Sequence, residues 1–404
     1  MKNSVLMFLF LFAATTVADE TMYVIKNNKK IAITPERIAR YFVDNVGYSF
    51  SDFVITNLEV IRDKNNVTET SWFNNNIYIK PLTSLIPFGE TIEVQLLMSQ
   101  GGTQELLTIV IDDSLEDTVV SNESLNRCIH NLKNNGITTV STVVHIDCMG
   151  KGITSVEGIQ QFYNLETLRL SDNYLTKVDL SGLEKIEKIY LAFNKINEIY
   201  FNNNNNINTL YLEGNDFEYF PAENLNNLNY LNISKNRISA LDLSNVAKLK
   251  KLRANDNSID IVDLSKNADL REVDLHTNQL KRFSFDNLSK LRIVNLNGNP
   301  VESLDYSSVS LSELYISNTS ITELDISNQN KISVVVADNN NIGKIILPES
   351  KNWNKLQVEN NKLMEFYIPI AKYFNVIRLE GNPLTQAMKT RLEERRSKKV
   401  KVRY

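Results

Sequence analysis

Three sets of residues in this 404-residue chain could do chemistry: its histidines, its two cysteines, and a recurrent set of tyrosines and charged side chains. The histidines, His130, His145 and His276, lie far apart in sequence, and no H-E-x-x-H, G-x-S-x-G or phosphate-cradling glycine loop is present. Nucleophilic catalysis needs a base beside the nucleophile, and a catalytic metal needs several converging ligands. Neither can be assembled from these motifs. The acidic stretch Asp112 to Thr118 lacks the regular D-x-D-x-D-G spacing of a calcium loop. The reading is therefore of a non-enzyme with no cofactor and no metal site. Cys128 and Cys148 allow a disulfide in an oxidising compartment, or two buried small apolar side chains; the residues leave both open. The third set is the informative one. Arg169, Tyr190, Tyr211, Arg253 and Asp274 fall in one column at multiples of 21 residues, and Tyr315 continues it after one shorter step. Phe193, Tyr230 and His276 stand close to the same column. Tyrosine and arginine concentrate binding energy at interfaces when something rigid holds them out. The chemistry on offer is recognition.

What must hold them is a short phrase repeated from residue 165 to 384. Leu165-Glu-Thr-Leu168-Arg-Leu170-Ser-Asp-Asn173-Tyr-Leu175 returns as Ile186-Glu-Lys-Ile189-Tyr-Leu191-Ala-Phe-Asn194-Lys-Ile196. Later copies start at Ile207, Leu228, Leu249, Leu270, Leu291, Leu311, Ile332, Trp353 and Phe374. The phrase resembles the L-x-x-L-x-L-x-x-N-x-L signature of a leucine-rich repeat, and a fixed period of this size implies a solenoid in which each coil packs on its neighbours. Its x-L-x-L-x segment predicts a short parallel strand, with both leucines inward and the flanking residues outward. The strands are expected on a concave face, with extended or 3-10 returns on a convex face. Asn173, Asn194, Asn215 and their successors predict buried amides that satisfy backbone groups at the turn. Thr319 alone breaks that column, just after the one 20-residue step, Leu291 to Leu311, which predicts a local irregularity. The run from Asn202 to Asn206 reads as a solvated turn.

The flanks differ from the repeats. Residues 1–18 read as a secretory signal: Lys2, an apolar run from Val5 to Ala14, and small residues up to Ala18. No later stretch is apolar enough over about 20 residues to span a bilayer, so no integral membrane segment is expected after cleavage. Residues 19–113 alternate in short apolar runs, with Gly101-Gly102 as a hairpin signal, and predict a small β-sandwich-like module of immunoglobulin or cadherin type. Pro35 to Asp44 suggests a helical turn. Residues 114–121 read as a linker. Residues 122–164 read as a helical N-terminal cap, with Leu125, Cys128, Ile129 and Leu132 on one helix face, followed by a degenerate first repeat. Residues 385–404 read as a C-terminal cap, with Leu384, Met388 and Leu392 on one side and eight basic residues against Glu393 and Glu394. Formal net charge is −4, which excludes a bulk-charge argument for nucleic acid, and none is expected as a partner.

The phrases from Cys148 to Ile159 and from Leu168 to Leu175 make the block from about Asn122 to Leu384 similar to internalin-like bacterial leucine-rich repeat proteins. That resemblance implies an exported or surface-displayed protein that binds partner proteins on its strand face. The chain departs from wall-anchored members in showing no sorting tail and in placing its β module before the repeats. The expected function is capture of a protein or peptide ligand at Arg169, Tyr190, Phe193, Tyr211, Tyr230, Arg253, Asp274, His276 and Tyr315, by a monomer that is secreted, periplasmic or at the cell surface. A carbohydrate or envelope polymer is the alternative ligand, since stacked tyrosines also suit sugar rings, and a structural spacer is the third reading.

Overall fold

The computed structural model describes residues 120–404 apart from 203, 350–351, 369–372 and 396–400, together with residue 115 and the backbone of seven strands between Tyr23 and Ile111. Two compact units are present: residues 1–119 with 132–142, and residues 120–131 with 143–404.

In the first unit the strands pair antiparallel. Tyr23–Lys26 joins Lys29–Ala32, and Thr68–Phe73 joins Asn76–Pro81. Val54–Arg62 pairs with Ile92–Gln100, which pairs in turn with Thr103–Ile111. The last pairing runs in unbroken register from Ile92 opposite Ile111 to Gln100 opposite Thr103. Only residues 101–102, the Gly-Gly position, connect those two strands. The signal segment at 1–18, the helix expected over 35–44 and the face-to-face packing that would make a sandwich lie outside the described residues. In the expected linker, Leu115 is buried and its N–H donates to the Thr138 carbonyl at 2.8 Å.

The second unit is a leucine-rich repeat solenoid. Its long sheet has 13 parallel strands, laid down in chain order from His145–Asp147 to Lys401–Arg403. Most are three residues long because the phrase supplies only that much alternation. In Thr167–Arg169, Lys188–Tyr190 and Thr209–Tyr211 the central residue is buried and its neighbours reach the surface. The next residue, the second leucine, is also buried, and its N–H donates to the following rung: Leu170 to the Tyr190 carbonyl at 2.8 Å, Leu191 to Tyr211 at 2.9 Å and Leu212 to Asn232 at 2.7 Å. Each fully buried leucine contributes about 1.5–3 kcal/mol. Because each coil touches only its neighbours, stability accumulates rung by rung. Among the described residues the return segments on the opposite side form three two-stranded parallel pairs, such as Lys177–Asp179 with Glu198–Tyr200.

The asparagine column closes the turns. Asn278 donates through Nδ2 to the carbonyls of Ala254 at 3.0 Å and Leu275 at 2.9 Å, and its Oδ1 accepts from Ile259 N at 2.9 Å. The same three bonds recur at Asn194, Asn215 and Asn299. At Thr319 the pattern changes. Its hydroxyl reaches only the Ile316 carbonyl (3.2 Å) and Asn340 Oδ1 (2.7 Å), and Asn340 Oδ1 accepts from Thr319 N, 21 residues back, where Asn194, Asn215, Asn278 and Asn299 accept from 19 back. The missing residue falls before the strand, between Val309 and Leu311, and the strand register continues unbroken from Asn295 to Tyr315 to Val336.

One expectation is corrected. The Asn202–Asn206 run is not simply solvated: Asn204 is fully buried and its Nδ2 donates to the carbonyls of Leu180 and Leu183, both at 2.9 Å. Asn267 and Gln329 do the same work at other return corners. These corners are buried, and a buried amide satisfies their carbonyls.

Both ends of the coil are covered. The helix Glu123–His130 is capped by Asn122, whose side chain accepts from Leu125 N, and it buries Leu125 and Ile129. Cys128 is disulfide-bonded to Cys148, just past the first strand of the long sheet. At the other end the helix Gln386–Arg395 buries Met388 and Leu392, and Lys401–Arg403 adds the final strand.

Candidate binding face

The in-register stacking of three-residue strands produces two outward columns on the long sheet. The column after each buried strand residue runs Arg169, Tyr190, Tyr211, Asn232, Arg253, Asp274, Asn295 and Tyr315. The column before it includes Thr209, Tyr230, Lys251 and Glu272. At about 4.8 Å per rung, four rungs from Arg169 to Arg253 cover about 19 Å.

Four of the expected site residues form one continuous cluster. The Arg169 guanidinium lies 4.7 Å from the Tyr190 ring centroid. Tyr190 and Tyr211 stack at 4.9 Å with 16° between ring planes, and Tyr211 meets Tyr230 at 4.6 Å and 31°. The last contact crosses from one column to the other. Lys251 Nζ sits 5.9 Å from the Tyr230 ring. Such aromatic pairs are worth about 0.5–1.5 kcal/mol beyond area burial. The rings are therefore held before any ligand arrives, which lowers the entropy lost on binding. Partial burial, with the neighbouring Tyr211 hydroxyl second, raises the Tyr230 phenol well above its ordinary range.

Phe193 sits beside the cluster on the turn after its strand. Its backbone is left-handed at φ 55°, and its side chain is 47% exposed. The ring lies over the next turn, where a Cβ on Gly214 would meet Phe193 Cδ1 at 2.6 Å. Glycine at 214 thus makes room for the phenylalanine. Lys235 Nζ stands 5.8 Å from the ring and pairs with Glu213 at 2.9 Å. That hydrogen bond and charge hold the Lys235 ammonium above the ordinary lysine range.

The remaining expected residues form separate groups. Arg253 is 3.6 Å from Glu272, which Lys251 already engages at 2.7 Å. His276 contacts Asp274 through Nδ1 at 2.7 Å and approaches Asp256 through Nε2 at 3.7 Å. Tyr315 stands apart from the aromatic cluster, and its hydroxyl donates to Glu313 at 2.7 Å. Burial first, and that carboxylate second, push its phenol up to about 12. Lys235, Glu213, Asp256 and Glu272 shape the face without having been singled out in the sequence. Glu272 shares the 21-residue phase of Tyr230, and Lys235 and Asp256 share that of Phe193, which was the signal available.

No grouping of three or more histidine, cysteine, aspartate or glutamate side chains suited to a metal occurs among the described residues. No helix among them is long and apolar enough to cross a membrane.

Comparison with known proteins agrees with the coil geometry. The family model for the Leucine Rich Repeat matches residues 164–186. Comparison with curated protein sequences finds no match. Among solved structures, an internalin (inlF) from Listeria monocytogenes is similar with a TM-score of 0.62 at 20% identity, over 72% of this chain and 93% of that one. The functional domain of InlJ from Listeria monocytogenes gives a TM-score of 0.51 at 17% identity, over 68% of this chain and 72% of that one. A chain from the octameric complex of Latrophilin 3, Unc5D and FLRT2, in which FLRT2 contributes its leucine-rich repeat, gives 0.51 at 20% identity over 66% and 91%. The fold is that of a leucine-rich repeat solenoid similar to the internalin solenoids, a scaffold typically used for binding.

Proposed function

We propose that this protein is an exported, non-enzymatic binding protein that captures a protein or peptide on the long-sheet face of its solenoid. The observation that carries the reading is the preassembled cluster of Arg169, Tyr190, Tyr211 and Tyr230, a row of aromatic groups fixed to a rigid sheet. A purely structural face would accept any small polar residue at these outward positions. Export is supported by the signal-like residues 1–18 and by the Cys128–Cys148 bond, a type of link that persists in oxidising compartments. The Latrophilin 3, Unc5D and FLRT2 complex gives a precedent for a similar repeat within a multiprotein assembly.

A polypeptide fits better than a sugar. Sugar rings stack on open aromatic faces, but Tyr211 is covered on both sides by Tyr190 and Tyr230, and Tyr190 is covered by Arg169 and Tyr211. What the cluster offers outward is ring edges and hydroxyls, which suit main-chain and side-chain contacts. The test is a Tyr190→Ala, Tyr211→Ala double variant probed for capture of a partner from native extract, alongside a glycan array with the unaltered protein. Loss of capture with an intact thermal transition is expected. Undiminished capture by the variant, or binding confined to the glycan array, would overturn the reading.

A further inference from the structure

We infer that the segment captured by the tyrosine cluster is an extended acidic stretch of polypeptide, clamped at its two ends by Arg169 and Arg253. This rests on the proposed use of the long-sheet face and adds the chemistry of the partner. The ten outward strand positions from Thr167 to Arg253 hold four cations, Arg169, Lys188, Lys251 and Arg253, with three tyrosines, two threonines and an asparagine, and no carboxylate. The rungs on either side turn acidic at once, with Asp147 before and Glu272 and Asp274 after. The basic stretch therefore has defined ends. Beside these rungs Glu166, Asp172 and Glu187 are exposed, while Glu213 is engaged by Lys235 at 2.9 Å and by Asn232 at 3.1 Å.

The cations at the two ends are under-neutralised. Arg169 is exposed, rests its guanidinium on the Tyr190 face and forms no ion pair among the described residues. At the far end one carboxylate, Glu272, serves two cations: Lys251 holds it at 2.7 Å, and Arg253 reaches it only at 3.6 Å. The Arg253 side chain is 43% exposed, although its Nε is itself buried. A guanidinium offers five donors in a fixed fork and suits a carboxylate in two-point contact, so both arginines are poised for one.

Spacing completes the case. Arg169 and Arg253 are four rungs apart, about 19 Å, and an extended chain advances about 3.3 Å per residue, so the two clamps span about six residues. Between them lie the Tyr190, Tyr211 and Tyr230 rings, with the last two side chains engaged with each other. A nucleic acid has matching charge, but its bases stack on open aromatic faces, and those of Tyr190 and Tyr211 are already covered.

The test uses the full chain. A phage-displayed random dodecapeptide library is selected on the immobilised protein, and the enriched peptides are synthesised and measured by fluorescence polarisation beside hexaglutamate, hexalysine and a ten-nucleotide oligothymidylate. Enrichment of peptides carrying acidic residues about six apart is expected, with at least tenfold weaker binding to an Arg169→Glu, Arg253→Glu variant. That variant should in turn bind lysine-substituted versions of the same peptides, which a misfolded protein would not do. Enriched peptides without acidic bias, or indifferent to the arginine reversal yet sensitive to Tyr190→Ala, would overturn the acidic partner and leave strand-face capture standing. Tighter binding of the oligothymidylate would overturn it in favour of nucleic acid. No enrichment at all would overturn both this inference and peptide capture.

Discussion

Replacing Asn278 with alanine isolates what the asparagine column does. Asn278 is 2% exposed; its Nδ2 donates to the Ala254 and Leu275 carbonyls and, at 3.4 Å, to the His276 carbonyl, and its Oδ1 accepts from Ile259 N. The carbonyls are not orphaned by its loss, because Ala254 keeps Asn257 Nδ2 at 3.2 Å and Leu275 keeps Asn299 Nδ2 at 2.9 Å. Ile259 N–H loses its acceptor in a fully buried setting. An unmet buried donor costs about 1–3 kcal/mol, and each further lost bond costs about 0.5–1.5 kcal/mol. The expected loss is therefore about 2–6 kcal/mol, read from urea denaturation followed by circular dichroism, with Asn278→Asp at least as damaging at neutral pH because it buries a charge. A loss under about 1 kcal/mol for the alanine variant would refute the assignment, since one unmet buried donor alone should exceed it.

Gly214→Ala puts a Cβ against the Phe193 ring in a left-handed conformation and should destabilise by about 1–2 kcal/mol from backbone alone, with a further steric part that Phe193→Ala removes in a double-mutant cycle. Independent, additive effects would show that the two do not pack as described. Replacing Cys128 and Cys148 with serine removes a link across 20 residues, worth about 3 kcal/mol. Hydrogen exchange should quicken in Glu123–His130 and the first rungs and stay unchanged at Val334–Val336, and uniform acceleration would contradict a rung-by-rung solenoid. For Tyr315 the folded phenol titrates above its unfolded value, so its stabilising contribution is complete below pH about 10 and is lost as pH rises towards about 12. Ultraviolet titration against a Tyr315→Phe background should show this late phenolate, and Glu313→Gln should bring it lower without returning it to the ordinary value, because burial is the larger cause.

Much of the coil was legible because the repeat states the same physical requirement many times. Leu168, Ile189 and Leu210 announce the inward phase of the strands, and Asn173, Asn194 and Asn215 announce the turn. The outward column follows from the period-2 alternation without further information. Thr319 could be singled out because a break in a regular column is itself a signal. The diagonal contact of Tyr211 with Tyr230 was not legible, since it depends on side-chain rotation across two columns. Nor was the burial of Asn204, which looks like any other member of an asparagine run until the return corner is built around it. Phe193 illustrates a third limit: nothing local marks a phenylalanine for a positive φ, and only the turn shared by every rung, with glycine on the next one, makes the position habitable.

The most direct test of the central claim is capture from native extract by three forms of the full chain: the unaltered protein, the Tyr190→Ala, Tyr211→Ala variant, and Ile261→Ser, which alters an exposed residue on the opposite side of the coil. The account predicts that one protein partner is retained by the unaltered and Ile261→Ser forms and released by the double tyrosine variant. Equal retention by all three, or loss only with Ile261→Ser, would contradict it.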